Sequence, residues 1–516
     1  MGRARPDRRG QPGRGDRPPS TGGRGLGNQP QNHPPRGSAA RRTGDEGPSQ
    51  AETRRPGPPL RRRRPLAVAH PTRKPLGMKP DLLADFEGRG LLHQSTDRAA
   101  VADWLASPGR RVYAGFDPTA ESLHVGHLVA LMLLRRVAAA GHEPVAVLGG
   151  ATGMIGDPSG RSEERNLLTP EALAANLRGV EAQIRRILTA PVAGAAGPEP
   201  VVHVVNNADW MQGVGYLEFL RDVGKHVPIA QMLAKDSVKA RLERAGGEGG
   251  LSYTEFSYML LQAWDFVHLS DQLDCRVQIG GSDQWGNITA GIELGRRLRG
   301  RDLHGITCPL LTKSDGTKMG KTAAGAVWLD AARTSPFRFY QYWINLDDDD
   351  AGRALRRLTE LPLEEVAVLD RQREEDPAGR ETQTRLAEEL TRLVHGEQAL
   401  ATAKQATRVL FGGGLDGLDE AALAEIFADV PSHEFAPGVL EAEGLPLTDA
   451  LQAVGLASSR SQARRTIEQG GAYVNNRREG DPSRRLTAAD LEGRRMLVLR
   501  SGKKSYALAR FGDAGR

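Results

Sequence analysis

The sequence contains few cysteines and no long apolar segment. Cys275 and Cys308 are the two cysteines among 516 residues, and neither lies in a cluster with metal-ligand spacing. We therefore expect no disulfide framework, no zinc or other metal bound by the protein itself, and a reducing, cytoplasmic location. Because no stretch approaches about 18 uncharged apolar residues, no transmembrane helix is predicted. The length predicts two to four folding units.

The first 77 residues lack Phe, Trp and Tyr altogether and hold 14 of the 32 prolines. They contain 17 Arg and 1 Lys against 5 Asp or Glu, a net charge of +13, whereas the rest of the chain carries 52 basic and 59 acidic residues. A segment of this composition cannot bury a core, so residues 1–77 are predicted to be disordered. This head also lacks the apolar region of a signal peptide.

Three interpretations of the head remain open. It is a translated upstream region before a true start at Met78, a disordered arm that binds nucleic acid, or an Arg-rich transit peptide. Its density of Pro and Gly argues against the amphipathic helix of a transit peptide. We favour the first interpretation, because Met78 leads directly into sequence of ordinary composition.

Short apolar runs that resemble buried strands alternate with helical patterns after the head. The runs cover residues 112–116, 144–148, 201–205 and 276–279, and the helical patterns include 126–140, 170–188 and 254–269. This alternation predicts an α/β domain with a parallel sheet, over residues 78–330. Ligands of such sheets bind at the carboxyl ends of the strands, so the loops after these runs are the candidate site.

The remaining chain differs in character. Residues 331–430 are rich in Arg, Glu and Leu with helical spacing and predict a separate α-helical domain, followed by a linker at 431–444. A small α+β domain is predicted over 445–511. Residues 455–516 contain 14 Arg or Lys against 6 Asp or Glu, which suits a polyanionic partner.

A first polar motif follows the first apolar run. An Asp-Pro-Thr turn at 117–119 precedes His124-Val-Gly-His127, with Ser122 as a candidate helix cap. Both histidines would then lie in the first turn of a helix, where free N–H groups favour phosphate, and Gly126 would let a flat base approach the backbone. The alternative is a capping turn with two surface histidines.

A second motif is the polar loop at 312–322, which carries three lysines, among them Lys318 and Lys321. Flexible ammonium groups suit a polyphosphate whose charge moves during a reaction. Taken alone, the loop is more typical of a solvated surface.

Together these two motifs resemble the signature segments of class I aminoacyl-tRNA synthetases. Val125 stands where Ile is commoner, and Gly320 stands where the general pattern has Ser; the Gly form is used by bacterial tyrosine enzymes. The resemblance implies a Rossmann-like catalytic domain and ATP as a substrate with Mg²⁺, with no tightly bound cofactor. It also implies that ATP phosphates and pyrophosphate are held by Thr119, His124, His127, Lys318, Lys321, Thr322, Arg161 and Arg165.

A third motif places Tyr258, Gln262 and Asp265 at i, i+4 and i+7, on one face of a predicted helix. A polar stripe of this kind either faces solvent or lines a polar pocket. The stripe resembles the tyrosine pocket of tyrosyl-tRNA synthetases. By this resemblance Asp265 and Tyr113 bind the substrate phenol, while Asp157, Tyr258 and Gln262 hold its α-ammonium group.

A fourth motif, 278–287, has two glycines at a strand end followed by polar residues. Alone it predicts only a turn between a strand and a helix. By the same resemblance Gln278 lies near the amino acid, Gln284 binds the substrate carbonyl, and ATP is bound by Asp117, Gly126, Gly281, Asp283 and Lys321.

The C-terminal basic segment resembles an S4-like RNA-binding module. A helix with Arg460, Arg464 and Arg465 is predicted to lead through two glycines into a short strand, and basic helix ends suit phosphate contacts. The alternative is a solvated charged helix. The resemblance implies tRNA-Tyr as the partner and a homodimer, with no membrane partner.

The family resemblance therefore implies that tyrosine is activated by ATP to tyrosyl-AMP and then transferred to the 3′-terminal ribose of tRNA. Two alternatives remain: a tryptophanyl-tRNA synthetase, with the same chemistry on a related fold, and a non-catalytic RNA-binding relative. The presence of both histidines and both signature lysines argues against the second. Catalysis would rest on positioning and charge stabilisation, without a protein nucleophile.

Overall fold

The computed structural model describes residues 81–159, 168–191, 199–235, 238–239, 242, 251–322, 325–410, 412–428, 430–436, 438–441, 443–502 and 505–512. The head, Arg161 and Arg165 lie outside the described residues, as do the side chains of Lys321 and Thr322. Among the helices described, none has the length and apolar character that crossing a membrane requires.

A six-stranded sheet forms the centre of the N-terminal half. Its strands are β1 (Gln94–Ser95), β2 (Arg111–Phe116), β3 (Glu143–Leu148), β4 (His203–Asn206), β5 (Val277–Gly281) and β6 (His304–Cys308). The spatial order is β1-β6-β5-β2-β3-β4, and all neighbours are parallel except β1, which pairs antiparallel with β6. The predicted α/β fold with a parallel sheet is confirmed.

Ten helices accompany this sheet in the described residues. They are α1 (Leu82–Gly88), α2 (Arg98–Leu105), α3 (Leu128–Ala139), α4 (Thr152–Ile155), α5 (Pro170–Thr189), α6 (Ala208–Met211), α7 (Tyr216–Asp222), α8 (Ile229–Leu233), α9 (Tyr253–Leu273) and α10 (Trp285–Arg299). Their caps follow from sequence: the Thr169 hydroxyl accepts from Ala172 N in α5, and the Ser252 hydroxyl accepts from Glu255 N in α9. Helix α3 is buried along most of its length, which anchors the preceding segment, residues 117–127, beside the carboxyl end of β2.

Several local predictions need correction. Ser122 does not cap the helix after β2; its hydroxyl donates to Leu123 O at 2.7 Å and accepts from Asp330 N. His124 is the N-cap of a short 3₁₀ turn, Val125–His127, that leads into α3. The run 201–205 is not wholly strand or buried, because β4 is an edge strand that begins at His203, and Val201 is 59% exposed. Strands β1 and β6 were not predicted, since their apolar runs are too short to stand out.

The segment after the sheet is helical, as the composition indicates. Its helices are α11 (Pro336–Ile344), α12 (Asp348–Leu358), α13 (Leu363–Glu375), α14 (Glu381–His395), α15 (Glu397–Leu410) and α16 (Glu420–Ile426). Buried residues of α11 to α15 belong to the same apolar cluster as those of β2 and α3. The helical segment therefore packs directly on the N-terminal half, while the boundary at residue 330 stays a prediction.

The C-terminal part contains a second sheet. Strands β9 (Ser432–Phe435), β11 (Ala472–Val474), β12 (Arg477–Glu479), β14 (Met496–Ser501) and β15 (Ser505–Phe511) lie in the order β12-β11-β14-β15-β9. Two-residue strands form two further pairs, β7 (Lys321–Thr322) with β8 (Gly325–Ala326) and β10 (Leu445–Pro446) with β13 (Arg485–Leu486). Helices α17 (Leu447–Ala453) and α18 (Arg460–Glu468) complete this part. Helix α18 leads through Gly470 and Gly471 into β11, the order predicted from sequence.

Candidate active site

A cavity of about 1010 Å³ opens where β2, β3 and β5 end. This is the edge of the sheet at which parallel strands place ligands. Fifteen of the nineteen residues predicted to bind tyrosine or ATP line it, and the side chains of the other four lie outside the described residues; the fifteen are Tyr113, Asp117, Thr119, His124, Gly126, His127, Asp157, Tyr258, Gln262, Asp265, Gln278, Gly281, Asp283, Gln284 and Lys318. The four motifs, which are far apart in sequence, therefore form a single site.

The two histidines of the first motif cap each other's backbone. His127 Nδ1 accepts from His124 N at 3.1 Å, and His124 Nδ1 accepts from Gly126 N at 3.1 Å. A ring nitrogen that accepts cannot carry a proton, so both neutral rings carry their proton on Nε2. Burial, with a smaller effect of His124, lowers the pKa of His127 to about 3, which keeps this ring neutral.

The second motif lies against the first. Val125 N donates to Val327 O at 3.0 Å, and Val327 N donates to Gly320 O at 2.9 Å. Trp328 lies near the His124 ring, with 6.1 Å between ring centroids. Lys318 is exposed on the rim of the cavity. The lysine loop thus borders the side of the cavity on which the histidines lie.

Asp265 lies at the inner end of the cavity and is almost fully buried. It accepts hydrogen bonds from Asn207 Nδ2 at 3.0 Å and from Trp210 Nε1 at 2.8 Å. Burial raises the pKa of Asp265 to about 7, although both hydrogen bonds oppose this rise. Each carboxylate oxygen can accept one more hydrogen bond.

Tyr113 faces the same end of the cavity. Its ring packs edge-on against Phe266, with 5.1 Å between centroids. Its hydroxyl is buried and has no hydrogen-bond partner among the described residues. Burial, reinforced by the negative charge of Asp265, raises the pKa of Tyr113 well above its usual value, so the hydroxyl stays protonated. A buried hydroxyl of this kind indicates a polar ligand group at this position.

Asp117 connects two walls of the cavity. Its Oδ1 accepts from Thr152 Oγ1 at 2.8 Å and its Oδ2 accepts from Tyr258 OH at 2.8 Å. Asn207 Nδ2 also donates to Thr152 Oγ1, at 3.0 Å. Asp117 is therefore part of a network that runs from β2 to Asp265, in addition to lining the space expected for ATP.

A second polar network surrounds Asp157. Gln284 Nε2 donates to Asp157 Oδ2 at 2.7 Å, and Gln262 Nε2 donates to Gln284 Oε1 at 3.3 Å. Asn287 Nδ2 donates to the same Gln284 oxygen at 3.2 Å. The Gln262 and Gln278 side-chain oxygens are buried without a hydrogen-bond partner in the described residues. This wall offers both a carboxylate and amide oxygens to a cationic group.

Gly281 and Asp283 lie at the end of β5 and in the following turn. Burial, with the nearby Asp157 charge, raises the pKa of Asp283, while Lys318 opposes this rise. Lys318 of the second motif therefore lies close enough to Asp283 of the fourth motif to influence its pKa.

Sequence reasoning missed several residues of the site. Asn207 and Thr152 each follow the end of a strand, a signal that was available in the sequence. Trp210 had no such signal, because it lies on α6, a helix of four residues. Trp328 also carried none, since it comes from an irregular segment after β8.

The predicted RNA-binding arginines lie outside this cavity, on α18. Arg460 pairs with Asp449 at 2.7 Å and Arg464 pairs with Glu468 at 2.9 Å, both with largely exposed side chains. Arg465 lies in the last turn of the same helix. The three guanidinium groups thus occupy one exposed basic helix, as predicted.

Comparison with known proteins agrees with the fold and the cavity. Residues 108–412 match the family described as tRNA synthetases class I (W and Y), and residues 422–509 match the tyrosine--tRNA ligase SYY-like C-terminal domain. The chain therefore belongs to the class I tRNA synthetases.

Comparison with individual relatives shows which group of this class the chain resembles. The chain is 55% identical to the tyrosine--tRNA ligase of Rhodopirellula baltica, over 84% of this chain and 97% of that one. It is 46% identical to that of Geobacillus stearothermophilus, over 84% of this chain and 100% of that one. A C-terminally truncated mitochondrial tyrosyl-tRNA synthetase of Aspergillus nidulans superposes with a TM-score of 0.59, at 32% identity, over 64% of this chain and 94% of that one. Within the class, the chain falls among the tyrosyl-tRNA synthetases of bacterial type.

Proposed function

We propose that this protein is a tyrosine–tRNA ligase. It activates L-tyrosine with ATP to tyrosyl-AMP and pyrophosphate, and then transfers the tyrosyl group to the 3′-terminal ribose of tRNA-Tyr. The observation that carries this proposal is that the Asp265 carboxylate and the Tyr113 hydroxyl, which has no hydrogen-bond partner among the described residues, both line a cavity that the two signature segments border.

Asp265 and Tyr113 are complementary to a phenol. The substrate hydroxyl donates to an Asp265 oxygen and accepts from Tyr113. Phenylalanine would leave the Tyr113 hydroxyl without a partner and would deprive Asp265 of one hydrogen bond, which costs free energy; tyrosyl-tRNA synthetases are the standard example of this form of selectivity. An indole N–H could use Asp265 but has no acceptor for Tyr113, which disfavours tryptophan.

Asp157, Gln262 and Tyr258 hold the α-ammonium group. Since the Tyr258 hydrogen is donated to Asp117, its oxygen lone pairs can accept from the ammonium. Asp157 supplies the opposite charge, and Gln262 supplies an amide oxygen. Gln278 lies near the amino acid, and Gln284 reaches the substrate carbonyl when it leaves its present contact with Asp157.

The substrate carboxylate then attacks the α-phosphorus of ATP, a bond to that phosphorus forms, and the bond to the pyrophosphate oxygen breaks. His124 and His127 donate from Nε2–H, and Thr119 from its hydroxyl, to phosphate oxygens that gain charge in the transition state. Lysines 318 and 321, with Thr322, bind the leaving pyrophosphate, as do Arg161 and Arg165. Magnesium enters with ATP, because divalent cations accompany polyphosphates.

ATP itself is positioned by the fourth motif and the first. Asp283 accepts from the ribose diol, Gly281 and Gly126 allow close approach of the nucleoside, and Asp117 and Lys321 complete this set. The terminal ribose hydroxyl of tRNA next attacks the activated carbonyl, and AMP leaves.

The C-terminal part supplies the RNA affinity. Arg460, Arg464 and Arg465 contact phosphates, so binding of tRNA-Tyr weakens as salt rises. We propose a catalytic domain at 78–330, a helical anticodon-side domain at 331–430 and an S4-like domain at 445–511. The segment 431–444, expected to be only a linker, also contributes β9 (Ser432–Phe435) to the sheet of the last domain. The enzyme acts in the cytoplasm.

A homodimer is part of the proposal. Large apolar side chains are exposed on α7, α8 and the start of α9: Tyr216, Leu217, Ile229, Leu233 and Tyr253. Leu217 is the extreme case, at 78% exposure. Exposed apolar residues in such number are typical of a protein–protein contact.

Charging of tRNA tests the proposal. Purified protein with ATP, Mg²⁺, tyrosine and total bacterial tRNA is expected to accumulate tyrosyl-tRNA. The Lys321→Ala variant is expected to lose adenylate formation while it retains tyrosine binding. Full activity of this variant would refute the role of Lys321, and a wild-type protein that binds tRNA without charging it would favour a non-catalytic relative.

A further inference from the structure

The lysine loop between Leu311 and Lys321 is attached at both ends to helices that lie outside the cavity. Ser314 N donates to Asp350 Oδ1 at 2.8 Å, and Gly320 N donates to Tyr342 OH at 2.7 Å. Tyr342 belongs to α11 and Asp350 to α12. Lys318 therefore lies between two points that are fixed by the helical segment.

The loop between these points is folded on itself. Lys313 N donates to Thr317 O at 2.8 Å, and Asp315 Oδ1 accepts from Thr317 N at 2.8 Å. Met319 is buried, whereas residues 314–318 are exposed. Besides these local bonds, the Gly320–Val327 backbone bond and the buried Met319 side chain hold the loop on its cavity side, and the two outer contacts hold it to the helical segment.

Both contact residues are well fixed in their own helices. Asp350 is almost fully buried and pairs with Arg353. The Tyr342 ring packs edge-on against the fully buried Trp343, with 4.9 Å between centroids. Burial raises the pKa of Tyr342 to about 12, so its hydroxyl is neutral and its oxygen can accept from Gly320 N.

We propose that Tyr342 and Asp350 are positioning residues for the lysine loop. They hold Lys318 in the place from which it binds the leaving pyrophosphate, and they connect the helical segment to the ATP site. This inference rests on the proposed function, since it concerns the same reaction. Neither residue lines the cavity, so their effect passes through the loop backbone.

The Tyr342→Phe variant tests the first contact, because it removes one oxygen and keeps the ring. Tyr340→Phe is its matched control: Tyr340 is buried on the same helix and makes no hydrogen bond to the loop in the described residues. Hydrogen–deuterium exchange of the full-length protein without substrates is expected to rise in peptides covering 312–322 in Tyr342→Phe alone. Unchanged exchange in these peptides would overturn the proposal.

Kinetics provide the second readout. Tyr342→Phe is expected to lower kcat for ATP–pyrophosphate exchange about tenfold, with KM for tyrosine changed less than about twofold, because only an interaction on the pyrophosphate side is lost. A rise in KM for tyrosine with kcat unchanged would contradict the assignment.

Asp350 gives an independent pair of variants. Asp350→Asn keeps an acceptor for Ser314 N, so the loop is expected to stay protected from hydrogen–deuterium exchange. Asp350→Ala removes this acceptor, so exchange of the loop is expected to rise. Equal exchange in both would overturn the role of Asp350. Because exchange is measured without substrates, this result stands apart from the proposed function, which an inactive wild-type protein would refute.

Discussion

Gly320 lies so close to Val125 that a Cβ at position 320 would stand 2.0 Å from Val125 Cγ2. Gly320 also has φ +85°, a conformation that side chains rarely adopt. The two signature segments are thus in direct contact, and the contact requires glycine. The close approach of Val125, together with the positive φ, gives a physical reason for glycine at position 320.

Gly320→Ala is therefore expected to displace the lysine loop. Gly316 offers a matched control, since it has φ +81° in the same loop but nothing within 4 Å of its Cβ position. Both variants carry a backbone cost of about 1 to 3 kcal/mol, and only Gly320→Ala adds the clash. We expect kcat for ATP–pyrophosphate exchange to fall at least about tenfold further in Gly320→Ala than in Gly316→Ala. Equal losses would contradict the contact.

The ionisation of Asp265 predicts a pH dependence of tyrosine binding. Burial raises the pKa of Asp265 to about 7, so the carboxylate becomes protonated as pH falls through this value. Because the phenol donates to the ionised form, the Kd for tyrosine is expected to rise up to about tenfold from pH 8 to pH 6. Equilibrium dialysis measures this, and a Kd that is constant over this range would exclude it.

Trp210 is expected to lower the pKa of Asp265. Its Nε1–H donates to Asp265 and stabilises the carboxylate, so Trp210→Phe should raise the pKa of Asp265 and move the midpoint of tyrosine binding to higher pH. Trp264→Phe, on α9, serves as the control because Trp264 Nε1 has no hydrogen-bond partner among the described residues. Identical midpoints in the two variants would contradict the role of Trp210.

The exposed apolar side chains of α7 to α9 predict that a charged substitution among them dissociates the proposed homodimer. Leu217→Asp is expected to shift the protein from dimer to monomer in analytical ultracentrifugation, since a buried unpaired carboxylate is costly at an interface. Val368→Asp, at another exposed apolar position, should leave the dimer intact. A wild-type protein that sediments as a monomer would refute the homodimer.

The sequence predicted the catalytic fold and most of the cavity because strand ends converge in a parallel sheet. Helical spacing placed Asp265 on one face with Tyr258 and Gln262, whereas the roles of Tyr113 and Asp265 came from the resemblance of their motifs to tyrosyl-tRNA synthetases. Trp210 could not be predicted, since its role depends on where a short helix docks. The mutual capping of the histidines was also missed, because Ser122 has the more usual capping side chain and is held instead by Leu123 O and Asp330 N.

The contacts of the lysine loop with Tyr342 and Asp350 lay beyond sequence reasoning for a similar reason. Residues 331–430 were expected to form a separate domain, so no contact with the ATP site was anticipated. The shared apolar cluster brings α11 and α12 against the catalytic half. Packing of this kind is decided by tertiary structure and leaves no periodic signal.

Amino-acid-dependent ATP–pyrophosphate exchange tests the central claim most directly. With the wild-type chain, ATP, Mg²⁺ and labelled pyrophosphate, exchange is expected with tyrosine and not with phenylalanine or tryptophan at equal concentration. In Tyr113→Phe, discrimination against phenylalanine is expected to weaken, because one of the two phenol partners is lost. Exchange that prefers tryptophan to tyrosine would contradict the account.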